Sequence, residues 1–408
     1  MAAMTKARHI FLSLIFIGII WAVPITQAII EIQDGESPTI LSLFTQAPTE
    51  ENLRSLESDL EEYSVFEEQL RPVFQLFHYV ASRDMGAKAL PGKEGWFFFH
   101  PGVSYLCEPY FRDRKHRQVQ ASGAVVGDSK EDSSGGDPVE IIVDFVQQMQ
   151  ARGIQVLVLP IPGKASIYPD KLTSWAERGS PVYANTSRFV DELEAKGVKV
   201  LALHGAFVEK RPEADARGKP LYMASDTHWT GEGVHIAARL IAQEIRKEDW
   251  FQERTGKTRY TRKALHVGRR GDIPEMTKLP LQEFLFSGES VVCWQVSEAK
   301  EGRAYEDDPD SPILLIGDSF SRVFQTDAPQ SAGLIANLAY ELQMHLASIV
   351  NNGGASTLVR QQLARRLDLL KNKRLIIWEF VERDIRFGMQ GWQKISFAED
   401  LHGICITR

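Results

Sequence analysis

The stretch from Ile313 to Ser321 contains four apolar residues that run directly into Gly317-Asp318-Ser319. A short apolar run bounded by turn residues is typical of a buried strand in a parallel sheet. Open α/β sheets bind ligands in the crevice beyond the carboxyl ends of their strands, so we expect Ser319 to face that crevice. A serine there can act as a nucleophile if a base reaches its hydroxyl. Without such a base, Gly-Asp-Ser is only a turn.

Helices and strands alternate along much of the chain. Asp137-Pro138 has the pattern of a helix N-cap followed by proline at the first helical position, and Gly153 has that of a C-cap. Three units repeat this order: the helix ending at Gln150 with the strand 155–159, the helix 187–196 with the strand 198–203, and the helix 357–371 with the strand 374–380. This alternation predicts an α/β fold with a largely parallel sheet.

A base for the serine is offered by Asp226-Thr227-His228, which precedes a predicted helix at 231–247 with Thr230 as its N-cap. In an extended segment, residues two apart point to the same side. A carboxylate at Asp226 can then accept the proton of one imidazole nitrogen of His228 and leave the other nitrogen free to take a hydroxyl proton. The alternative interpretation is that Asp226 and Thr227 only cap the helix and His228 is an exposed polar residue.

Composition limits the classes of function and of cofactor. The chain has 408 residues, is 43% hydrophobic and carries a formal net charge of -7, which gives no support to nucleic-acid binding. It has no Walker-type loop, no CxxC pair and no HExxH, so no cofactor and no metal are expected. The cysteines Cys107, Cys293 and Cys405 are widely separated. One disulfide is possible in an exported chain, and the spacing does not show whether Cys107 pairs with Cys293 or with Cys405.

The N-terminus has the features of an export signal. Basic residues precede an apolar run from Ile10 to Val23, and small residues follow near Ala28. We therefore predict a signal peptide or an uncleaved membrane anchor at 1–28, with the bulk of the chain outside the cytoplasm. An N-terminal helical segment is predicted at 29–90, where Pro72 should kink or divide an amphipathic helix. The polar run 112–137 is predicted to be a mobile loop within the domain 91–408.

Several blocks resemble those of a known family. Gly317-Asp318-Ser319-Phe320-Ser321 is similar to the nucleophile block of SGNH hydrolases, but here the Asp-x-His block precedes it and is one residue shorter than Asp-x-x-His. That order resembles the AlgJ/AlgX-like alginate O-acetyltransferases. Supporting blocks, in the same order as in that family, are Gly95-Trp-Phe-Phe98, Pro160-Ile-Pro-Gly-Lys164, Asp226-Thr-His-Trp229 and Trp378-Glu-Phe-Val-Glu-Arg-Asp384. Because the chain ends soon after the last block, it is more similar to the AlgJ form.

The resemblance implies an SGNH hydrolase-like three-layer fold with a mainly parallel central sheet. It implies Ser319 as nucleophile, His228 as base and then acid, and Asp226 as the residue that orients the imidazole. Lys164, Trp229 and Arg383 are candidate contacts to substrate. Trp229 is also a candidate for packing beneath the other groups, and each of the two cations is also a candidate for an ordinary surface charge.

The resemblance further implies that an acetyl group passes through an acyl-serine to a sugar hydroxyl. The expected partners are a membrane-bound O-acyltransferase as acetyl donor and an exopolysaccharide such as alginate as acceptor, in the periplasm. The same three residues would also serve a carbohydrate esterase with water as acceptor. A non-catalytic polysaccharide-binding protein on the same fold is the second alternative.

Overall fold

The computed structural model describes residues 2–45, 47–50, 52–56, 65–113, 136–176, 182–253, 259–388 and 391–397. The chain divides into two compact units, one of residues 1–84 with 278–281, the other of residues 85–277 with 282–408. Most of the predicted mobile loop at 112–137, together with Cys405, lies outside the described residues.

The strands all belong to the larger unit. They are β1 Ala89–Pro91, β2 Phe97–Phe99, β3 Gln155–Ile161, β4 Lys199–Val200, β5 Tyr260–Arg269, β6 Glu289–Glu298, β7 Ile313–Gly317, β8 Ala347–Val350 and β9 Leu375–Val381. Five of them form one sheet in the order β4-β3-β9-β7-β8, and every neighbouring pair in it is parallel. The predicted α/β fold with a parallel sheet is confirmed, and the strand at Ile313 lies inside that sheet, as expected.

The α-helices range from single turns to long segments. They are α1 Ala2–Gln33, α2 Ser42–Thr45, α3 Val65–Ser82, α4 His100–Cys107, α5 Pro138–Gln150, α6 Lys164–Ile167, α7 Pro169–Leu172, α8 Ala184–Ala195, α9 His204–Ala216, α10 Gly231–Ile245, α11 Asp249–Gln252, α12 Asp272–Met276, α13 Gln282–Leu285, α14 Ser319–Arg322, α15 Leu334–Leu342, α16 Leu358–Ala364 and α17 Asp384–Phe387. Short 3-10 helices lie at Thr39–Leu41 and Leu367–Leu370.

Successive side chains of each strand point to opposite faces of the sheet. Both faces are apolar, and helices cover both of them. On one face, Leu315 of β7 belongs to a buried cluster with residues of α10 and α15. On the other face, Leu314 and Ile316 belong to a cluster with residues of α5, α8 and α16. The result is a helix–sheet–helix sandwich in which both hydrophobic clusters hold the central strands in place.

The two predicted N-caps agree with the structure, whereas several predicted bounds do not: α8, for example, begins at Ala184 and not at 187. Asp137 caps α5 by accepting from the backbone N–H of Val139, and Thr230 caps α10 by accepting from Gly233. The predicted strand 198–203 is reduced to Lys199–Val200 because the chain turns into α9 at His204. The predicted helix 357–371 is two pieces, since α16 ends at Ala364 and a 3-10 helix follows.

The smaller unit is helical in the part that the structure describes. Helix α1 contains the segment Phe11–Gln33, which is long and apolar enough to cross a membrane. A signal sequence has the same properties, so the predicted signal peptide and the predicted anchor both fit. Pro72 lies inside α3 and does not divide it, and the helix continues to Ser82.

An antiparallel hairpin that the sequence analysis did not foresee joins the two parts of the chain that carry the candidate residues. Strands β5 and β6 pair along their whole length, from Tyr260 opposite Glu298 to Arg269 opposite Glu289. The hairpin connects α10, which follows His228, to the region of β7, which precedes Ser319. The connection between its strands carries α12, and β6 begins at Glu289, at the same end of the hairpin.

Candidate active site

The turn after β7 is fixed from both sides by one carboxylate. Asp318 accepts from the backbone N–H of Phe320 at 2.8 Å and from the N–H of Val381, at the end of β9, at 3.1 Å. Ser319 is thereby placed at the carboxyl end of the sheet, at the start of α14. Asp318 therefore shapes this turn through two backbone N–H groups.

The structure brings Ser319, His228 and Asp226 together in one hydrogen-bonded series. The Nε2 of His228 lies 2.8 Å from Oγ of Ser319, and its Nδ1 lies 2.7 Å from Oδ1 of Asp226. A carboxylate only accepts, so Nδ1 carries the proton and Nε2 is free to accept from the serine hydroxyl. This arrangement can remove the serine proton during attack on a carbonyl carbon.

The charges around this series favour a protonated imidazole. Burial by itself lowers the pKa of His228, but the negative charges of Asp226 and Asp272 outweigh it, and the net shift is upward. Burial raises the pKa of the Asp226 carboxyl, yet the charge and hydrogen bonds of His228 and the charge of Arg269 together hold it well below its usual range. The carboxylate is therefore ionised throughout the range in which the imidazole titrates.

Lys164 holds the backbone of the loop that carries Asp226. Its amine donates to the carbonyls of Met223 at 3.0 Å, Ala224 at 3.1 Å and Asp226 at 2.6 Å. Burial lowers the pKa of this amine to about 8. The predicted contact of Lys164 with substrate does not fit this position, because the side chain is buried and its three donors are all used within the protein.

Trp229 lies beneath the reacting groups and not beside a sugar site. Its side chain is 0% exposed, and its indole N–H donates to the carbonyl of Phe320 at 3.1 Å. The Phe320 ring also packs against the imidazole of His228, with ring centroids 4.9 Å apart. Of the two roles considered for Trp229, the packing role therefore fits, whereas stacking on a sugar does not.

Arg383 is the predicted cation that faces the reacting groups. It follows β9, which neighbours β7 in the sheet. Its guanidinium lies 5.2 Å from the ring centre of Phe99 and 5.9 Å from that of Phe320. Its positive charge lowers the pKa of His228. In the described part of the chain its ion-pair contact is Asp384, at 4.0 Å.

The hairpin contributes three side chains that sequence reasoning missed. Glu289 accepts from the N–H groups of Ala224 and Ser225 at 2.9 Å each. Arg269 lies 3.5 Å from Oδ2 of Asp226. The third residue, Asp272, accepts from Thr227, which lies between the two candidate residues of that loop. The sequence of β6 is rich in β-branched and other apolar residues between Val291 and Val296, which indicates a strand but not its contacts.

A buried carboxyl group supports the serine turn from the sheet. Glu379 in β9 accepts from the N–H of Asp318 at 3.0 Å and from the hydroxyl of Ser321 at 2.6 Å. Burial, together with the nearby charge of Asp318, raises the pKa of Glu379 well above its usual value. Gly317 has no room for a side chain, because a Cβ there would overlap the Glu379 carboxyl.

One group of side chains in the described residues has the spacing of metal ligands. Asp226, His228 and Asp272 each offer a ligand atom, and these atoms lie within 4.8 Å of one another. The same atoms are already used in hydrogen bonds with one another and with Thr227. In the structure, these atoms hold the imidazole and its loop in place through those hydrogen bonds.

Comparison with known families and proteins gives a consistent result. The family model described as the SGNH hydrolase-like domain of acetyltransferase AlgX matches residues 123–382, which is more than half of the chain. The probable alginate O-acetylase AlgJ of Pseudomonas fluorescens is 25% identical over 243 residues, which are 58% of this chain and 58% of that protein. The match to the AlgJ of Azotobacter vinelandii is 24% identical and covers 60% of this chain and 62% of that one. The chain thus spans about three fifths of these curated relatives.

Solved structures resemble the chain in fold. The O-acetyltransferase domain of Pseudomonas putida AlgJ superposes with a TM-score of 0.53 at 18% identity, covering 73% of this chain and 91% of that one. Pseudomonas aeruginosa AlgX gives a TM-score of 0.50 at 14% identity, covering 72% and 62%. At these identities, the likeness establishes the SGNH-like fold.

Proposed function

The chain belongs to the family of SGNH hydrolase-like acetyltransferase domains of the AlgX type, and from this premise we propose that it moves an acetyl group onto a hydroxyl of a polysaccharide. The observation that carries the proposal is the hydrogen-bonded series from Ser319 through His228 to Asp226, with the distances of 2.8 and 2.7 Å. These lie within the range in which a base can take the proton of a nucleophile.

The first step forms an acyl-serine. Oγ of Ser319 bonds to the carbonyl carbon of the acetyl donor, while Nε2 of His228 takes the hydroxyl proton. The bond from that carbon to the donor oxygen then breaks, and the same proton passes to the leaving oxygen. Asp226 holds the imidazole in the required tautomer and stabilises its positive charge.

The second step repeats the first with a sugar hydroxyl as nucleophile. His228 takes the sugar proton, the sugar oxygen bonds to the acetyl carbon, and the bond to Oγ of Ser319 breaks as the serine regains a proton. In both steps the negative oxygen needs donors. The backbone N–H of Ser319 is one, since no protein acceptor for it exists in the described part of the chain. Removing one such donor typically costs about a hundredfold or more in rate.

Arg383 is the cation that we assign to substrate contact. Its guanidinium is partly exposed and lies beside the Phe320 ring, next to the proposed nucleophile. A guanidinium binds carboxylates through paired hydrogen bonds, which suits an anionic sugar such as a uronate. The net charge of -7 makes this local positive group more important, because the chain as a whole repels an acidic polymer.

The location and partners follow from the N-terminal helix and the family. An apolar segment at Phe11–Gln33 is consistent with export, so the reaction would take place in the periplasm, where acetyl-coenzyme A is absent. The acetyl group is then delivered by a membrane-bound O-acyltransferase, and the acceptor is an exopolysaccharide. The curated relatives are named probable alginate O-acetylases, which makes alginate the first acceptor to test.

The test uses purified full-length chain with 4-nitrophenyl acetate and mannuronate oligosaccharides. Mass spectrometry measures acetylated sugar, and an enzymatic assay measures free acetate. We expect acetylated sugar with the native chain and a loss of about a thousandfold or more with Ser319→Ala. Ser297→Ala is the matched control, because that serine contacts Thr261 on the exposed side of the hairpin.

Each other outcome has a defined meaning. Free acetate without any acetylated sugar would replace the transferase with an esterase that uses the same three residues. Acetylation that persists in Ser319→Ala would overturn the assignment of the nucleophile. Binding of the oligosaccharide without turnover of any ester would leave a non-catalytic polysaccharide-binding protein.

A further inference from the structure

Asp272 lies at the first position of α12, where the tip of the hairpin meets the loop that carries His228. The preceding residue, Gly271, has φ +87°, and a Cβ there would overlap the backbone of Ser225. This close approach lets the carboxylate reach Thr227. Oδ1 of Asp272 accepts from the N–H of Thr227 at 2.6 Å, and Oδ2 accepts from its hydroxyl at 2.5 Å.

Thr227 is the residue between Asp226 and His228. Its backbone N–H and its hydroxyl both donate to Asp272, which lies outside the loop. Its hydroxyl oxygen in turn lies 3.1 Å from Nδ1 of the imidazole, and Oδ2 of Asp272 lies 3.5 Å from the same nitrogen. Because the Nδ1 proton is already directed at Asp226, at 2.7 Å, Asp272 acts on the ring through Thr227 and through its charge.

The charges that face the imidazole come from four elements. Asp226 and Asp272 favour the protonated ring, and Arg383 opposes it. Arg269, from the end of β5, lies 3.5 Å from the second oxygen of Asp226 and offsets part of its charge. Burial and the charge of Asp226 raise the pKa of the Asp272 carboxyl, and in its ionised form Asp272 contributes a second negative charge beside the imidazole.

We propose that Asp272 is a positioning residue for His228: it fixes Thr227 between the two triad residues and stabilises the imidazolium that forms when the ring takes a proton. The inference rests on the proposed function where it concerns kcat. The expected change in the titration of His228 does not depend on that function. A serine–histidine–aspartate series therefore has, in this chain, a second carboxylate supplied by the hairpin.

The central variant is Asp272→Asn, which keeps the shape and the acceptor for the Thr227 N–H and removes the charge. Its turnover of 4-nitrophenyl acetate is measured against pH, and the His228 ring is titrated by NMR with labelled histidine, assigned by comparison with His228→Gln. We expect the acidic limb of the rate profile and the titration of His228 both to move to lower pH. We also expect kcat to fall about tenfold, a part of the roughly hundred- to ten-thousandfold that a positioned base contributes.

Asp272→Glu keeps the negative charge that Asp272→Asn removes. The midpoints of its rate profile and of its His228 titration should therefore lie close to the native values. Glu289→Gln is the matched control, because Glu289 holds the same loop from the same hairpin through Ala224 and Ser225 without approaching the imidazole. It should lower thermal stability and leave the titration of His228 unmoved.

The outcomes separate this inference from the proposed function. An unmoved His228 titration in folded Asp272→Asn overturns the inference, whatever the activity. If Asp272→Asn does not fold, Thr227→Val decides: a native His228 titration with undiminished kcat in that variant overturns the role of Asp272 through Thr227. Absence of ester turnover in the native chain overturns the proposed function alone, since the NMR titration still reports on Asp272.

Discussion

The two sides of the candidate site are built in different ways. On the serine side, the regular backbone of β7 and β9 brings Ser319 to the sheet edge, and Asp318 connects the two strand ends through the N–H of Val381. On the histidine side, the loop 223–228 has no strand or helix to define it. Lys164, Glu289 and Asp272 hold this loop by hydrogen bonds to its backbone.

This difference teaches that the proposed nucleophile and the proposed base depend on different parts of the chain. A parallel sheet positions a residue through its own ladder of backbone hydrogen bonds. A loop acquires comparable precision only when distant side chains satisfy its backbone groups, which are costly to bury without partners. We therefore expect changes in the residues that support Ser319 to affect mainly stability, and changes in the side chains that hold the His228 loop to affect activity as well.

The largest effect should come from Asp226→Asn, which keeps the shape of the loop and removes the charge that orients the imidazole. We expect turnover to fall by about ten-thousandfold, the loss known for a wrong imidazole tautomer in serine enzymes. The melting temperature should change little. Asp310→Asn, at an exposed position, is the control. If more than a tenth of the activity survives in Asp226→Asn, the loop does not supply the orienting carboxylate and the comparison fails.

A smaller loss is expected for Lys164→Met, which fills the same space without donors. Three loop carbonyls, those of Met223, Ala224 and Asp226, then each lose one hydrogen-bond donor. We expect about 1–3 kcal/mol of lost stability and a fall of about a hundredfold in kcat/KM, typical of a small displacement of a reacting group. Chemical denaturation and ester turnover measure the two effects.

Lys171→Met provides the control for Lys164→Met, because Lys171 pairs with the exposed Glu94 and a surface pair contributes about 0–1 kcal/mol. Equal behaviour of the two variants would show that the amine of Lys164 does not hold the loop.

Gly317→Ala tests the serine side. The added Cβ would overlap Oε2 of Glu379 and approach Oγ of Ser321 to 2.8 Å, and both of these side chains are fully buried. Overpacking of this kind costs about 1–3 kcal/mol, so the melting temperature should fall. Gly268→Ala is the matched control, since a Cβ there meets nothing within 4 Å. A Gly317→Ala protein with native stability would mean that the turn is looser than the sheet-based argument requires.

The same division explains what the sequence could reveal. Local patterns predicted the strand ending at Gly317, the capped helices and the pair Asp226 and His228, because each depends on neighbouring residues. The contacts of Asp272 and Glu289 join residues 45 and 64 positions apart in the chain, and no local pattern marks them. Lys164 looked like a surface cation, although the buried residues that flank it, such as Ile161 and Ile167, were a signal that it lies inside.

The smallest predicted effect is a difference in pKa between two histidines that are partly or fully buried. His228 and His235 are both depleted of solvent, and burial lowers the pKa of each. At His235 the charges of Arg262 and Arg239 add to burial and lower the pKa to about 4, whereas at His228 two carboxylates reverse the direction.

An NMR titration of the labelled chain should therefore show His228 changing its charge above pH 6.5, the ordinary histidine value, with His235 still neutral. Because the proposed base must be neutral to take the serine proton, ester turnover should rise with the same midpoint as the His228 signal, and Asp226→Asn should lower that midpoint. A His228 that titrates below pH 6.5 would mean that the effect of burial on its pKa outweighs the charges of Asp226 and Asp272. The side chains that hold the loop would then determine its position but not the charge of the imidazole.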